Sequence, residues 1–318
     1  LYASKSHTQY FILLGVIVIV FFFVNISIGS VAIPLREIGA ILIGDIPAKD
    51  SWRTIIINYR LPKAITAVLV GSGLSVSGLL MQTLFRNALA GPFVLGISSG
   101  ASLGVALFLL GSGLFGGTLG TIVFSNWSLA VAASVGAFIV LLAVITAANR
   151  VRNTMSILII GLMFGSLTSA VISVLSYFSE ASQIQQYQFW SFGTLGNLNW
   201  EELLVFFVLY AISMFTCFFI TKPLNSFLLG ENYAKSLGIN IKMSRNIILL
   251  VTSLLTGVIT AFSGPIAFIG LAVPHVTKIL LLLQTIRSYY RPQRCLVPLY
   301  YCYVIALRNY LIAHSYFL

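Results

Sequence analysis

Along this chain apolar residues run in blocks about as long as a lipid bilayer is thick, and polar residues gather in the short stretches between them. Blocks near 10–30, 62–84, 93–112, 128–148, 155–177, 201–221, 246–263 and 265–283 consist mostly of Leu, Ile, Val, Phe, Ala and Gly. A helix needs about 20 such residues to cross a hydrocarbon core of about 30 Å. Lipid offers no partner to a backbone N–H or C=O, so blocks of this length predict helices, which bond internally. The expected fold class is all-α, a polytopic membrane protein with eight recognisable spans. The first block has no small-residue cleavage site after it and is expected to be retained rather than removed as a signal peptide.

Composition agrees with that pattern. Of 318 residues, 58% are hydrophobic and 8% charged, against roughly 25% charged in soluble domains. The net charge of +11 would point to nucleic acid in a soluble chain. Here it is expected on cytoplasmic loops, so no nucleic-acid partner is implied. With the N-terminus inside, Lys5, Arg86, Arg150, Arg152, Lys222, Lys235, Lys242, Arg245 and Lys278 all fall inside, and the outer loops after the third and fifth blocks carry no Lys or Arg. One outer segment breaks the rule: 32–61 holds Arg36, Lys49, Arg53 and Arg60, with Lys63 just beyond.

Other features narrow the chemistry. Of the seven acidic residues, five lie in loops and Glu201 and Glu202 at the very edge of the sixth block, which argues against an ion-gradient transporter or channel, since such proteins relay charge through intramembrane carboxylates. No GxxxxGK[ST] loop is present, and "GSGLFG" at 111–116 follows a span without opening a strand–helix unit. The chain thus carries no energy source of its own. Cys217, Cys295 and Cys302 form no metal or disulfide framework, and His7, His275 and His314 are scattered; no metal site or cofactor is expected. Gly96, Gly100 and Gly104, and likewise Gly161, Gly165, Ser169 and Ser173, recur four apart. Such small-residue stripes let helices approach in lipid, or they line a transport path. Pro265 and Pro274 fall in the last block, where they are expected to break the helix beside neighbours or a cavity.

The most polar insert is "LNSFLLGENYAKSLGINIKMSRN", 224–246, between the sixth and seventh blocks on the expected cytoplasmic side. Its centre predicts a short helix with Glu231 in the first turn, Lys235 one turn on and Gly238 as a left-handed stop. Leu229, Tyr233 and Leu237 would share an apolar face. A helix this short is marginal alone, so that face must rest on the membrane surface or on another protein.

These residues resemble those of the FecCD-type permeases, membrane subunits of ATP-binding-cassette importers for iron–siderophore, haem and cobalamin. "RLPKAITAVLVGSGLSVSGLLMQTLFRNALAGPFVLGISSGA" (60–101), "WSFGTLGNLNW" (190–200) and "SGPIAFIGLAVPHVTKIL" (263–280) are similar to that family's recognisable blocks, in the same order. The resemblance implies ten helices per subunit and two permease subunits, identical or different, around a central pathway. It also implies two separate ATP-binding subunits, which hydrolyse ATP so that this chain is not itself an enzyme. An extracytoplasmic substrate-binding protein would deliver the ligand, in a bacterial inner or cytoplasmic membrane. On this resemblance Gly230, Glu231, Ala234, Leu237 and Gly238 would face the ATPase on a coupling helix. Arg60 and Lys63 would dock acidic groups of the binding protein, which would explain the basic outer segment. The expected cargo is a ferric siderophore, with haem or cobalamin as alternatives.

Residues 1–283 are thus expected to form the permease domain, with a tail of different character from 284 to 318. No glycine follows Gly270, although the chain has 26. Tyr289, Tyr290, Tyr300, Tyr301, Tyr303, Tyr310 and Tyr316 crowd its end, and the resemblance stops near Leu282. A frameshift that removes the last two family helices accounts for these features together, and it would make this a degraded, non-transporting copy.

Overall fold

The computed structural model describes residues 3–111, 125–151 and 154–282; the expected frameshifted tail lies outside them. All regular structure described is helical. In chain order the helices are α1 (Ala3–Ser27), α2 (Leu35–Ile43), α3 (Asp50–Ile55), α4 (Leu61–Phe85), α5 (Ile97–Leu109), α6 (Asn126–Arg150), α7 (Thr154–Tyr177), α8 (Ala181–Phe192), α9 (Trp200–Phe219), α10 (Thr221–Leu229), α11 (Glu231–Ser236), α12 (Ile241–Ser263) and α13 (Ile269–Leu282). A π turn, Ile56–Arg60, joins α3 to α4, and a 3-10 turn, Pro92–Leu95, precedes α5.

Among the described residues, five helices are long and apolar enough to cross a membrane: the joined Asp50–Phe85, α6, α7, α9 and α12. The predicted blocks 93–112 and 265–283 differ from expectation because both begin with non-helical backbone. Gly96, at φ +75, breaks the first and leaves α5 with 13 residues. The second opens as the irregular stretch 264–268, and α13 has only 14 residues. Gly96 packs on Gly161 of α7, Gly264 packs on Gly193 just after α8, and the start of α13 packs against the middle of α4. A Cβ built on Gly270 would meet the Leu74 carbonyl oxygen at 2.7 Å and the Pro92 ring at 3.0 Å, and one built on Gly78 would fall 1.6 Å from the Gly270 carbonyl oxygen. Irregular backbone at this depth is tolerated where protein rather than lipid surrounds it. Gln82 Nε2 donates to the Leu271 carbonyl at 3.1 Å, tying α4 to the first turn of α13.

The core is built around α4 and α12, which pack on each other and on α6, α9 and α13. The glycine stripe of α5 does what its spacing predicts. A Cβ on Gly104 would lie 2.2 Å from the Ala132 carbonyl oxygen, and one on Gly136 would lie 2.1 Å from that of Gly100. Backbones of α5 and α6 therefore touch, a contact driven in lipid by dispersion and close fit. The outer segment 32–61 folds as α2 and α3 around a small cluster of Ile26, Ile33, Ile38, Ile41 and Ile56.

Candidate functional site

At the end of the molecule where α4 finishes and α12 starts, the chain forms the predicted charged insert as two helices with a sharp hinge. Gly230 lies between α10 and α11 at φ 126, ψ 149, a conformation open essentially to glycine alone. Ala234 donates its N–H to the Gly230 carbonyl at 2.8 Å and is fully buried. Gly238 stands at φ +77, so α11 ends in the left-handed stop read from the sequence. Its N–H bonds to Lys235 O, and that of Ile239 returns to Ala234 O at 3.1 Å. Asn240 then caps α12 by accepting from the Met243 N–H at 3.0 Å. The expected apolar face needs correction: Leu229 ends α10, on the far side of the hinge from Tyr233 and Leu237. Those two remain 46% and 57% exposed, so α11 presents its apolar groups outward while Ala234 anchors it.

At the opposite end Arg60 does not reach outward as expected. It is buried, and it donates to the carbonyls of Ile26 at 2.9 Å, Ser27 at 3.0 Å and Val31. The cause is the π turn. Its extra residue rotates the end of the turn toward α1, where carbonyls at a helix C-terminus lack internal partners and attract cations. Gly29 makes room, since a Cβ there would sit 2.7 Å from an Arg60 nitrogen. Lys63, one turn on, is half-buried beside Gly196. Arg36, Lys49 and Arg53 are exposed on and between α2 and α3, with the Lys49 ammonium 5.4 Å from the Trp52 ring centre.

The stripe on α7 divides in two. Gly161 is a packing residue, for its Cβ would fall 2.1 Å from the Val94 carbonyl oxygen. Gly165 is looser, with Ser99 Oγ at 3.4 Å from such a Cβ. Ser169 and Ser173 are exposed, and their hydroxyls bond to the Gly165 and Ser169 carbonyls one turn back, each at 3.0 Å. Pro274 lies buried within α13, whereas Pro265 lies in the connection before it rather than in the helix. A cavity of about 260 Å³ near the α12–α13 connection is lined by Asn126, Gln186, Trp190, Asn197, Phe262 and Ser263, among others. It is smaller than the usual range for small-molecule pockets, about 300–1,000 Å³.

Sequence reasoning missed three residues. Arg86 and Phe268 are the non-glycine residues with positive φ among those described, at 48° and 66°; no sequence signal marks such a conformation outside Gly, Asn or Asp. Arg86 Nε donates to the Phe227 carbonyl at 2.9 Å. Arg245, read only as a loop charge, is buried and donates to the Ala148 carbonyl at 2.5 Å, near the end of α6. Neighbouring Asn246 and Asn149 are hydrogen-bonded at 3.0 Å. The short outer helix α8, in the loop after α7, was also not foreseen.

Comparison with known proteins places this architecture. The model of the FecCD transport family matches residues 17–288. The chain belongs to that family. Within it the chain is similar to the vitamin B12 import system permease protein BtuC of Salmonella typhi and of Citrobacter koseri, 35% identical over 223 residues in each case, and to that of Escherichia coli O1:K1 / APEC at 34%. The aligned region is 70% of this chain and 65% of each relative, so the chain matches slightly under two thirds of their length. The fold is also that of a solved metal-chelate type ABC transporter in an inward-facing conformation, with a TM-score of 0.79, 24% identity, and coverage of 97% of this chain and 90% of that one. The multi-pass helical architecture read from the hydropathy pattern is thus that of the FecCD permeases.

Proposed function

We propose that this chain is the membrane-spanning subunit of an ATP-binding-cassette importer and that its cargo is a ferric siderophore. One observation carries the reading: a charged two-helix insert, hinged at Gly230 and stopped at Gly238, with Tyr233 and Leu237 exposed. A FecCD chain with this insert needs a partner on that face, and an ATP-binding subunit fits. The mechanism is alternating access, with hydrolysis carried out by two such subunits and not by this chain. Across a second permease subunit, the exposed Ser169 and Ser173 would wall a path of small polar and apolar groups. Such walls suit a large chelate whose metal is already enclosed by its own ligands. An extracytoplasmic binding protein would dock on the opposite end. There Lys63 and the exposed Arg36, Lys49 and Arg53 offer charge, while Arg60 holds the platform from beneath.

A second reading, cobalamin as cargo, is favoured by the relatives named vitamin B12 import permeases. Uptake of labelled ferric siderophores, haem and cobalamin by a strain lacking its own permease decides among them. In the reconstituted complex Glu231→Arg or Gly238→Val should uncouple ATP hydrolysis from uptake while leaving the permease folded. Wild-type coupling in both variants would remove the coupling assignment.

A further inference from the structure

The hinge at Gly230 has a neighbour from outside its own segment. Arg86 ends α4 in the left-handed conformation, φ 48 and ψ 36. That conformation costs an ordinary side chain roughly 1–2 kcal/mol, and helices usually place glycine or asparagine there. What arginine adds is reach. Its Nε bonds to the Phe227 carbonyl, the same oxygen that accepts the Gly230 N–H at 3.2 Å. A Cβ on Gly230 would come within 3.1 Å of an Arg86 terminal nitrogen, so the guanidinium lies over the hinge itself. A planar fork held on a helix-end carbonyl resists displacement better than a lysine point charge would.

The other side of Arg86 is stiff. Residues 79–85 of α4 are all buried, and Gln82 ties them to α13. The chain after Arg86 is braced by Asn87, whose N–H bonds to the Gln82 carbonyl and whose Oδ1 accepts from the Leu89 N–H at 2.9 Å. It then enters the Pro92–Leu95 turn, whose backbone touches Gly161 of α7 and whose proline touches Gly270 of α13. A displacement of the hinge can therefore reach both α13 and the exposed helix α7 through one side chain.

We infer that Arg86 is the positioning residue that transmits movement of the α10–α11 hinge into α4 and the Pro92–Leu95 turn. This rests on the importer reading above. The test uses the assembled importer, permease with its ATP-binding subunits, followed by amide hydrogen exchange with and without ATP and vanadate. In the wild type both α11 and residues 79–96 should change protection. Arg86→Gly keeps the left-handed backbone and deletes only the fork. In it α11 should still respond, the response of 79–96 should vanish, and uptake per ATP hydrolysed should fall about tenfold, roughly the worth of one charged hydrogen bond. Arg86→Lys should recover part of that ratio.

An equal response of 79–96 in Arg86→Gly would overturn the inference and leave the importer reading standing. No response of α11 in the wild type would overturn the importer reading, and the inference with it. Should Arg86→Gly not assemble, Arg86→Met, which fills the space without a donor, is read by the same criteria. Failure of both to assemble would make Arg86 a structural cap and overturn its role in transmission.

Discussion

The helices α4 and α7 are both glycine- and serine-bearing apolar spans, yet they occupy opposite places. In the most apolar stretch of Asp50–Phe85, 89% of residues are buried, against 22% for α7. On α4 the small residues are what neighbours press against: Gly73 against Ile259 and Tyr210, Gly78 against Gly270. Its hydroxyls are also inward, as with Ser72, which shares a 2.7 Å hydrogen bond with the Tyr210 hydroxyl. Of the small-residue stripe on α7 only Gly161 is pressed by backbone, and Ser169 and Ser173 face outward. Lipid is as apolar as leucine, so apolarity does not drive a helix inward; close fit and the satisfaction of polar groups do. The same kinds of small residue can thus mark a packed seam or an open wall.

The largest effect that could break this contrast is at Gly78. Gly78→Val should destabilise the fold by at least about 3 kcal/mol, because the new side chain meets backbone rather than a yielding side chain. Thermal unfolding in detergent measures it, and a near-normal transition would mean α4 is not the seam described. Arg60→Ala comes next, at about 3 kcal/mol for the charged hydrogen bonds lost at the end of α1. This loss should be insensitive to salt, because the group is buried. By contrast, binding-protein association should weaken on Lys63→Glu, and in the wild type it should weaken as added salt screens the charges. A salt-sensitive loss of association from Arg60→Ala, with normal stability, would restore Arg60 to the docking surface. The smallest effect belongs to α7. Ser169→Ala and Ser173→Ala should each change stability by less than about 0.5 kcal/mol while altering uptake. A clear loss of stability from either would show that α7 is packed like α4.

Three arginines repeat a second lesson. Arg60, Arg86 and Arg245 each donate to carbonyls at or near the C-terminal end of a helix other than their own: α1, α10 and α6. In sequence they were indistinguishable from loop charges obeying or breaking the positive-inside rule. Part of the chain's positive charge therefore serves its own helix ends, where each peptide dipole points a carbonyl outward without a partner.

What the sequence determined by itself follows from short-range physics. Block length specified the helical membrane class, because about 20 apolar residues are needed whatever surrounds them. The Gly238 stop and the glycine contacts of α5 were legible for the same reason, since a left-handed turn and a backbone approach both require a missing Cβ. The direction of Arg60, the hinge at Gly230 that separates Leu229 from Tyr233, and the reach of Arg86 were decided only in the tertiary structure. The directions of Arg60 and Arg86 depend on carbonyls belonging to distant segments, and for Arg60 also on one extra residue in a π turn. A rotation of that kind changes which neighbour a side chain meets and leaves no trace in the pattern of apolar and polar residues.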